Sequence, residues 1–314
     1  CLLSSQSTWN QSGVTVAGVA GVSGSNLSLL SSPVALHLDT LNNIMYIGEQ
    51  FNYRVLKWPV GSSAGTIYAG NNSAGCNLNQ FQIVAGLAID SSGNMYTSDP
   101  GCDLVLQFPP NSDSTTNGTL KMSGHSNPEH IFVDPLTNDL YIAMEGEHSV
   151  LKLANNNNTP VIVAGGNGAG SGLNQLSHPN SVYYDSVTGN LYVADTNNNR
   201  IMKFPPGSTK SSNGTVVAGN NTAGNATNQL NGPRDVIVDK SGNIYIADGS
   251  NNRIQRWLPS ATSGDTILGS PSSMPGITAD LLKGPETLRF SSNNSLFVVD
   301  RSNNRVQVFS LLSC

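Results

Sequence analysis

Short apolar runs of period two recur along the whole chain, and each stops at glycine, asparagine or proline. Around the middle they read "NSVYYD" (180–185), "NLYVAD" (190–195), "RIMKF" (200–204) and "TVVAG" (215–219). Runs of this length, rich in β-branched and aromatic residues, predict strands. The joining segments "SVTG", "TNNN" and "PPGSTKSSNG" carry the residues that tight turns need. The same set of four returns along the chain. Its first-strand aspartate falls at Asp39, Asp90, Asp134, Asp185 and Asp239, with Ser291 in the sixth copy. A proline precedes it at Pro33, Pro128, Pro179, Pro233 and Pro285, and Val84 stands in the second copy.

Four antiparallel strands repeated about every fifty residues predict the blades of a β-propeller. The sixth copy lacks its fourth strand at the C-terminus. A matching run, "GVTVAG" at 13–18, stands at the other end of the chain. The expected fold is all-β: a six-bladed propeller of four-stranded antiparallel blades spanning residues 1–314 as one domain. The N-terminal strand, about 13–18, completes the last blade, about 285–314, and removes the open edges.

The segments "ADTNNNRI", "ADGSNNRI" and "VDRSNNRV", each after "GNxYI" or its like, resemble the NHL repeat, and the likeness covers nearly the whole chain. The acid and arginine of this motif recur as Glu49/Arg54, Asp195/Arg200, Asp248/Arg253 and Asp300/Arg305. A catalytic group is needed once, so a pair repeated in four blades reads as a turn fastener. The expected arrangement has the acid accepting backbone N–H groups and the arginine bridging strands. Met144 and Ser149 replace both members in the third copy, and in the second Asp99 faces Leu104 beside Cys102.

Charged residues are 11% of the chain, against roughly 25% in a typical soluble protein, and the net charge is −5. No basic field is present to hold a nucleic acid or an anionic membrane, and no apolar run is long enough for a membrane span. Cys1, Cys76, Cys102 and Cys314 show no zinc-finger spacing. The expected pairs are Cys1–Cys314, locking the ring, and Cys76–Cys102, stapling the second blade. Disulfides imply an oxidising compartment, and the chain opens on Cys1, so the reading is a secreted, processed product or an excised domain. N-linked glycans are expected on some of the sequons at Asn10, Asn26, Asn71, Asn117, Asn157, Asn213, Asn220, Asn225 and Asn293, all in predicted loops.

The repeat leaves a few blade-specific residues unexplained. Glu129, His130, Asn180, Arg234, Asp235 and Glu286 cluster where first strands begin, at the expected mouth of the central channel. They are the candidate binding residues of a non-catalytic extracellular scaffold whose partner is a protein or glycan, or a second copy of the chain in a coat or fibre. The competing reading is an enzyme with a metal in the channel, like the amidating lyases or the lactonases of six-bladed rings. The lyase resemblance implies zinc histidines directly after the first-strand proline. Those positions here hold Val34, Ala85, Glu129, Asn180, Arg234 and Glu286. A lactonase-like calcium would need Glu129, Asn180 and Glu286, with Arg234 beside them disfavouring the cation. No cofactor is expected.

Overall fold

The computed structural model describes residues 2–155, 157 and 159–314. The chain forms six four-stranded antiparallel sheets in a ring, with three short 3-10 turns and no α-helix among the described residues. Blade 1 comprises Pro33–Asp39, Ile44–Glu49, Arg54–Pro59 and Thr66–Ala69; blade 2 comprises Gly86–Ile89, Met95–Asp99, Leu104–Phe108 and Thr119–Ser123. Blade 3 has Pro128–Val133, Leu140–Met144, Ser149–Leu153 and Val161–Gly165; blade 4 has Pro179–Tyr184, Leu191–Asp195, Arg200–Phe204 and Thr215–Gly219. Blade 5 has Pro233–Val238, Ile244–Asp248, Arg253–Trp257 and Asp265–Gly269. Blade 6 takes Pro285–Phe290, Leu296–Asp300 and Arg305–Phe309 from the C-terminus and Val14–Gly18 from the N-terminus, the last pairing antiparallel with Arg305–Phe309. The ring therefore closes as the repeat count requires.

The core is six cores, one between each pair of neighbouring blades. Tyr141, Ala143 and Val150 of blade 3 meet Val182, Val193 and Phe204 of blade 4, and equivalent clusters fill the other five junctions. Both faces of each blade are covered, which is why second strands such as "LYVAD" and "IYIAD" are buried at every residue rather than alternating.

The "TNNNR" turn has a separate task for nearly every residue. Asp195 accepts the backbone N–H of Ser177 at 2.7 Å, and Arg200 Nε donates to its other oxygen at 2.6 Å. The rest of the guanidinium does not bridge strands, as the sequence reading has it. It reaches back to the segment that enters the blade and donates to the carbonyls of Ser171, Gly172 and Gln175. That segment's carbonyls lack ladder partners, and a planar five-donor fork collects several at once. Asn198 joins Asp195 to Gly170 O, each at 2.8 Å. Blades 1, 5 and 6 repeat the clamp through Arg54, Arg253 and Arg305 on Glu49, Asp248 and Asp300, all buried.

Blade 2 replaces this clamp by a covalent bond. Asp99 keeps its backbone donors, Gln82, Ile83, Gly101 and Cys102, but Leu104 stands where the arginine would. The Cys76–Cys102 disulfide joins the same two places, since Cys76 follows Gly75 as Ser171 follows Gly170, and Cys102 matches Asn198. In blade 3 only residues 124–127 separate the preceding fourth strand from Pro128. There is no long segment to clamp, so neither acid nor arginine has a task there, and Ser149 Oγ, in the arginine's place, is buried without a hydrogen-bond partner among the described residues. The Cys1–Cys314 pairing rests on Cys1, outside the described residues; no described cysteine is free.

A residue in the left-handed region ends each of these turns; in blade 1 it is Tyr53 (φ 53°), and in the other five blades its side chain ties one blade to the next. Asn199 (φ 51°) accepts from Gly232 N at 3.0 Å, and Asn252 (φ 55°) from Gly284 N at 2.9 Å. Asn304 accepts from Ser32 N across the closure, and Asp103 from Asn127 N. Between blades 3 and 4 the acceptor is an imidazole: His178 N donates to His148 Nδ1 at 3.3 Å. Asparagine and aspartate tolerate this backbone region and carry the acceptor, so the asparagine run is structural.

One element escaped the sequence reading. Thr8–Trp9 pairs with Leu311–Ser313 as a separate two-stranded sheet. Trp9 is buried against Tyr245 and Phe290 and donates to Asn294 O at 2.9 Å, while Arg256 donates to the carbonyls of Ser4, Ser5 and Ser7. The N-terminal segment thus straps blades 5 and 6. Arg256 stands where the other blades have lysine, glutamine or, in blade 6, Val308, the only sequence signal for it.

Candidate functional site: the channel mouth

Every first strand that starts with proline carries a register shift directly after it, between Pro33 and Ala35, Pro128 and Ile131, Pro179 and Ser181, Pro233 and Asp235, and Pro285 and Leu288. Proline supplies no ladder donor, and the bulge re-aims the residues that follow. Val34, Ala85, Glu129, Asn180, Arg234 and Glu286, the residues after the blade prolines or Val84, all line one cavity of about 360 Å³. The broken alternation also brings in His130, which strict period-two geometry points elsewhere.

Asp235 is not at the mouth, contrary to its place among the candidate residues. It is buried behind the ring, accepting from Ser181 Oγ at 2.8 Å, Leu288 N at 3.0 Å and Arg289 Nη1 at 2.6 Å. Arg289 also donates to His130 Nε2. Burial first, with Arg289 adding to it against Asp235, pushes the His130 imidazole down to about 4. His37 is lowered to about 4 in the same order, by burial and then Arg289. Both rings are neutral at physiological pH, so His130 can accept from the guanidinium. This network is a structural hub beneath the cavity.

The sequence reading missed a second ring, the residues directly after the second strands. Gln50, Pro100, Glu145 and Arg301 come from it and line the same cavity. Their signal was available, because Glu145 and Arg301 follow the repeat's acid position and differ from blade to blade. Arg301 donates to Glu286 at 3.1 Å, to Gln50 Oε1 at 2.6 Å and to Ser32 Oγ at 3.1 Å. Glu129 is half-buried, and burial first, then Glu145 and Glu286, push its carboxyl up to about 8 against the pull of Arg234 and Arg301.

A catalytic or structural metal does not fit these side chains. Among the described residues no three histidines, cysteines or carboxylates converge on one point. Glu286, one of the three calcium candidates, is held by Arg301, and His130 is held by Arg289. His148 and His178 face each other with ring centroids 4.6 Å apart, away from the cavity lining. The sequons are distributed as expected of loops: all nine asparagines are exposed except Asn71, which is half-buried, and none lines the mouth cavity.

Comparison with known proteins adds family but not activity. Residues 176–204, 230–257 and 282–309 match the NHL repeat. Peptidyl-glycine alpha-amidating monooxygenase A of Xenopus laevis is 35% identical over 34% of this chain and 12% of its own length. The chain spans about a third or less of the first curated relatives it matches. An auxiliary nutrient binding protein from Bacteroides thetaiotaomicron superposes with TM-score 0.73 at 13% identity, over 98% of this chain and 78% of that one. A gluconolactonase from Xanthomonas campestris superposes with TM-score 0.67 at 12% identity, over 95% and 97%. At such identities the two structures share the fold alone, and the set mixes enzymes with binding proteins. The three matched segments lie in blades 4, 5 and 6 of a closed ring built throughout on the same unit, and the chain is a six-bladed β-propeller that carries NHL repeats in those blades.

Proposed function

We propose that the protein is a secreted, N-glycosylated, non-catalytic propeller that binds a small polar molecule at the channel mouth. The observation that carries this reading is the composition of the cavity. Five charged side chains from three blades, Glu129, Glu145, Arg234, Glu286 and Arg301, surround one space, and only the Glu286–Arg301 pair is joined by an ion pair. Charged groups withdrawn from water without partners are costly, and a repeat with six chances to place apolar residues there had no structural need of them. The six blades fix the positions of all these groups, as a binding scaffold requires. Nutrient binding by a protein of the same fold is compatible with the reading.

The test is a thermal-shift screen of small polar metabolites against the natively secreted protein and its Arg234→Gln variant. A ligand that raises the melting temperature of the first and not the second supports the mouth as the site. A ligand that raises both equally refutes it. A second reading, a hydrolase, has one observation in its favour: a carboxyl near 8 could act as general acid at neutral pH. Turnover of ester or lactone substrates that is abolished in Glu129→Gln would replace the binding reading.

A further inference from the structure

We propose that the molecule bound at the mouth is a free α-amino acid with an apolar side chain, its carboxylate on Arg234 and its ammonium between Glu129 and Glu145. The inference rests on the mouth being a binding site and goes on to name what it takes.

The charges at the mouth divide into a satisfied set and an unsatisfied one. Arg301 spends its donors on Glu286, Gln50 and Ser32, so blade 6 offers no free charge. In blades 3 to 5 the Glu129, Glu145 and Asn180 side chains and the Arg234 guanidinium line the cavity, and none has a hydrogen bond or ion pair with any described residue. A cation and two carboxyl groups are thus held open around one space, with an amide between them in ring order.

Arg234 is also specifically accommodated. A Cβ at residue 249 would meet Arg234 Cγ at 2.7 Å, closer than such contacts occur. The same ring position holds Gln50, Pro100, Glu145, Thr196 and Arg301 in the other blades, and only blade 5 has glycine. Gly249 lets the aliphatic stem lie against the backbone and hold the guanidinium in place, where a bidentate carboxylate is its best partner.

Charge balance selects the ligand class. With Glu129 protonated, as its carboxyl near 8 implies at neutral pH, the open groups are Arg234 and Glu145, one of each sign. A simple anion would satisfy Arg234 but face Glu145, and a simple amine would leave the guanidinium unpaired. A zwitterion satisfies both, and its ammonium stabilises Glu129 as the carboxylate, whose proton is released to solvent. On the side of blades 1 and 2 the wall carries Val34, Ile83, Ala85 and Pro100, with Gln50 beside them, an apolar patch that suits a small apolar side chain, while Asn127, His130 and Thr287 complete a lining that is otherwise polar. At about 360 Å³ the cavity is at the small end of ligand sites, roughly 300–1,000 Å³.

Isothermal titration of the intact protein with L-leucine, L-leucinamide, N-acetyl-L-leucine, isoamylamine and 4-methylpentanoate tests this. Leucine is expected to bind, and each analogue, lacking one charge, to bind at least tenfold more weakly. Arg234→Gln should lose about 10- to 100-fold, the range for hydrogen bonds between charged groups, while Arg234→Lys should retain part of the affinity. Titrations at pH 7 in buffers of different ionisation enthalpy should show proton release on binding, abolished in Glu129→Gln. Equal binding of leucine and any one of the four single-charge analogues overturns the amino-acid assignment. A different ligand from the metabolite screen, with affinity that depends on Arg234 and no competition from leucine, overturns the assignment and leaves the mouth as the site. Leucine binding unaffected by Arg234→Gln removes both.

Discussion

The arginine clamp and the disulfide of blade 2 are two solutions to one problem, which makes them exchangeable. Arg200→Leu in blade 4 reproduces the Asp99/Leu104 arrangement without its disulfide. Asp195 is then left buried with one partner removed, and the carbonyls of Ser171, Gly172 and Gln175 lose their donor. Breaking a buried pair on one side costs about 3–5 kcal/mol. Adding Ser171→Cys and Asn198→Cys places a disulfide where blade 2 has Cys76–Cys102. A closed loop of that length contributes about 3.5 kcal/mol in the chain-entropy account. Loss of the Asn198 hydrogen bonds offsets about 1.5 kcal/mol. The triple variant should therefore recover about 2 kcal/mol, and only while oxidised. Urea unfolding followed by tryptophan fluorescence, with and without reductant, measures each step. If Arg200→Leu costs under about 1 kcal/mol, or if the oxidised triple variant is no more stable than Arg200→Leu, the two devices are not equivalent and the reasoning fails.

Three further outcomes are expected. Glu129 has its carboxyl raised from 4.5 to about 8 in the folded state, so the native protein binds more protons than the unfolded chain between those values, and stability falls as pH rises through that window. The full difference corresponds to about 5 kcal/mol, and roughly half that is expected at a half-open mouth; Glu129→Gln should flatten the fall in a urea-midpoint series, and an unchanged slope would contradict it. The His148 clasp rests on a single acceptor, the Nδ1 that takes the His178 backbone N–H. Compared at one pH, amide exchange at His178 should accelerate in His148→Ala and be largely kept in His148→Asn, and unchanged exchange in His148→Ala would rule out the clasp. Intact-glycopeptide mass spectrometry of natively secreted material should find glycans at exposed sequons such as Asn10, Asn117, Asn157 and Asn213; bare asparagine at all eight exposed sequons would sink the glycosylation reading.

Much of the fold was legible because a propeller is a local repeat. Strand, turn and closure follow from period-two runs, from Asn-Gly chemistry and from a strand missing at one end of the chain and present at the other. Spacing alone placed Glu129, Asn180, Arg234 and Glu286 in one ring, since each follows its blade's first-strand proline. Tertiary structure decided the rest. The bulge after each proline breaks the alternation on which side-chain direction rests, so His130 turns toward the cavity. Only the approach of blade 6 to blade 5 shows that Asp235 belongs to Arg289 rather than to the mouth. Glu145 and Arg301 join the site from second strands because the ring curves their ends inward. Arg200 reaches a segment 25 to 29 residues upstream instead of its strand neighbours. No periodicity encodes such contacts: they arise when the closing ring brings carbonyls without ladder partners within reach of the one side chain that can satisfy several together.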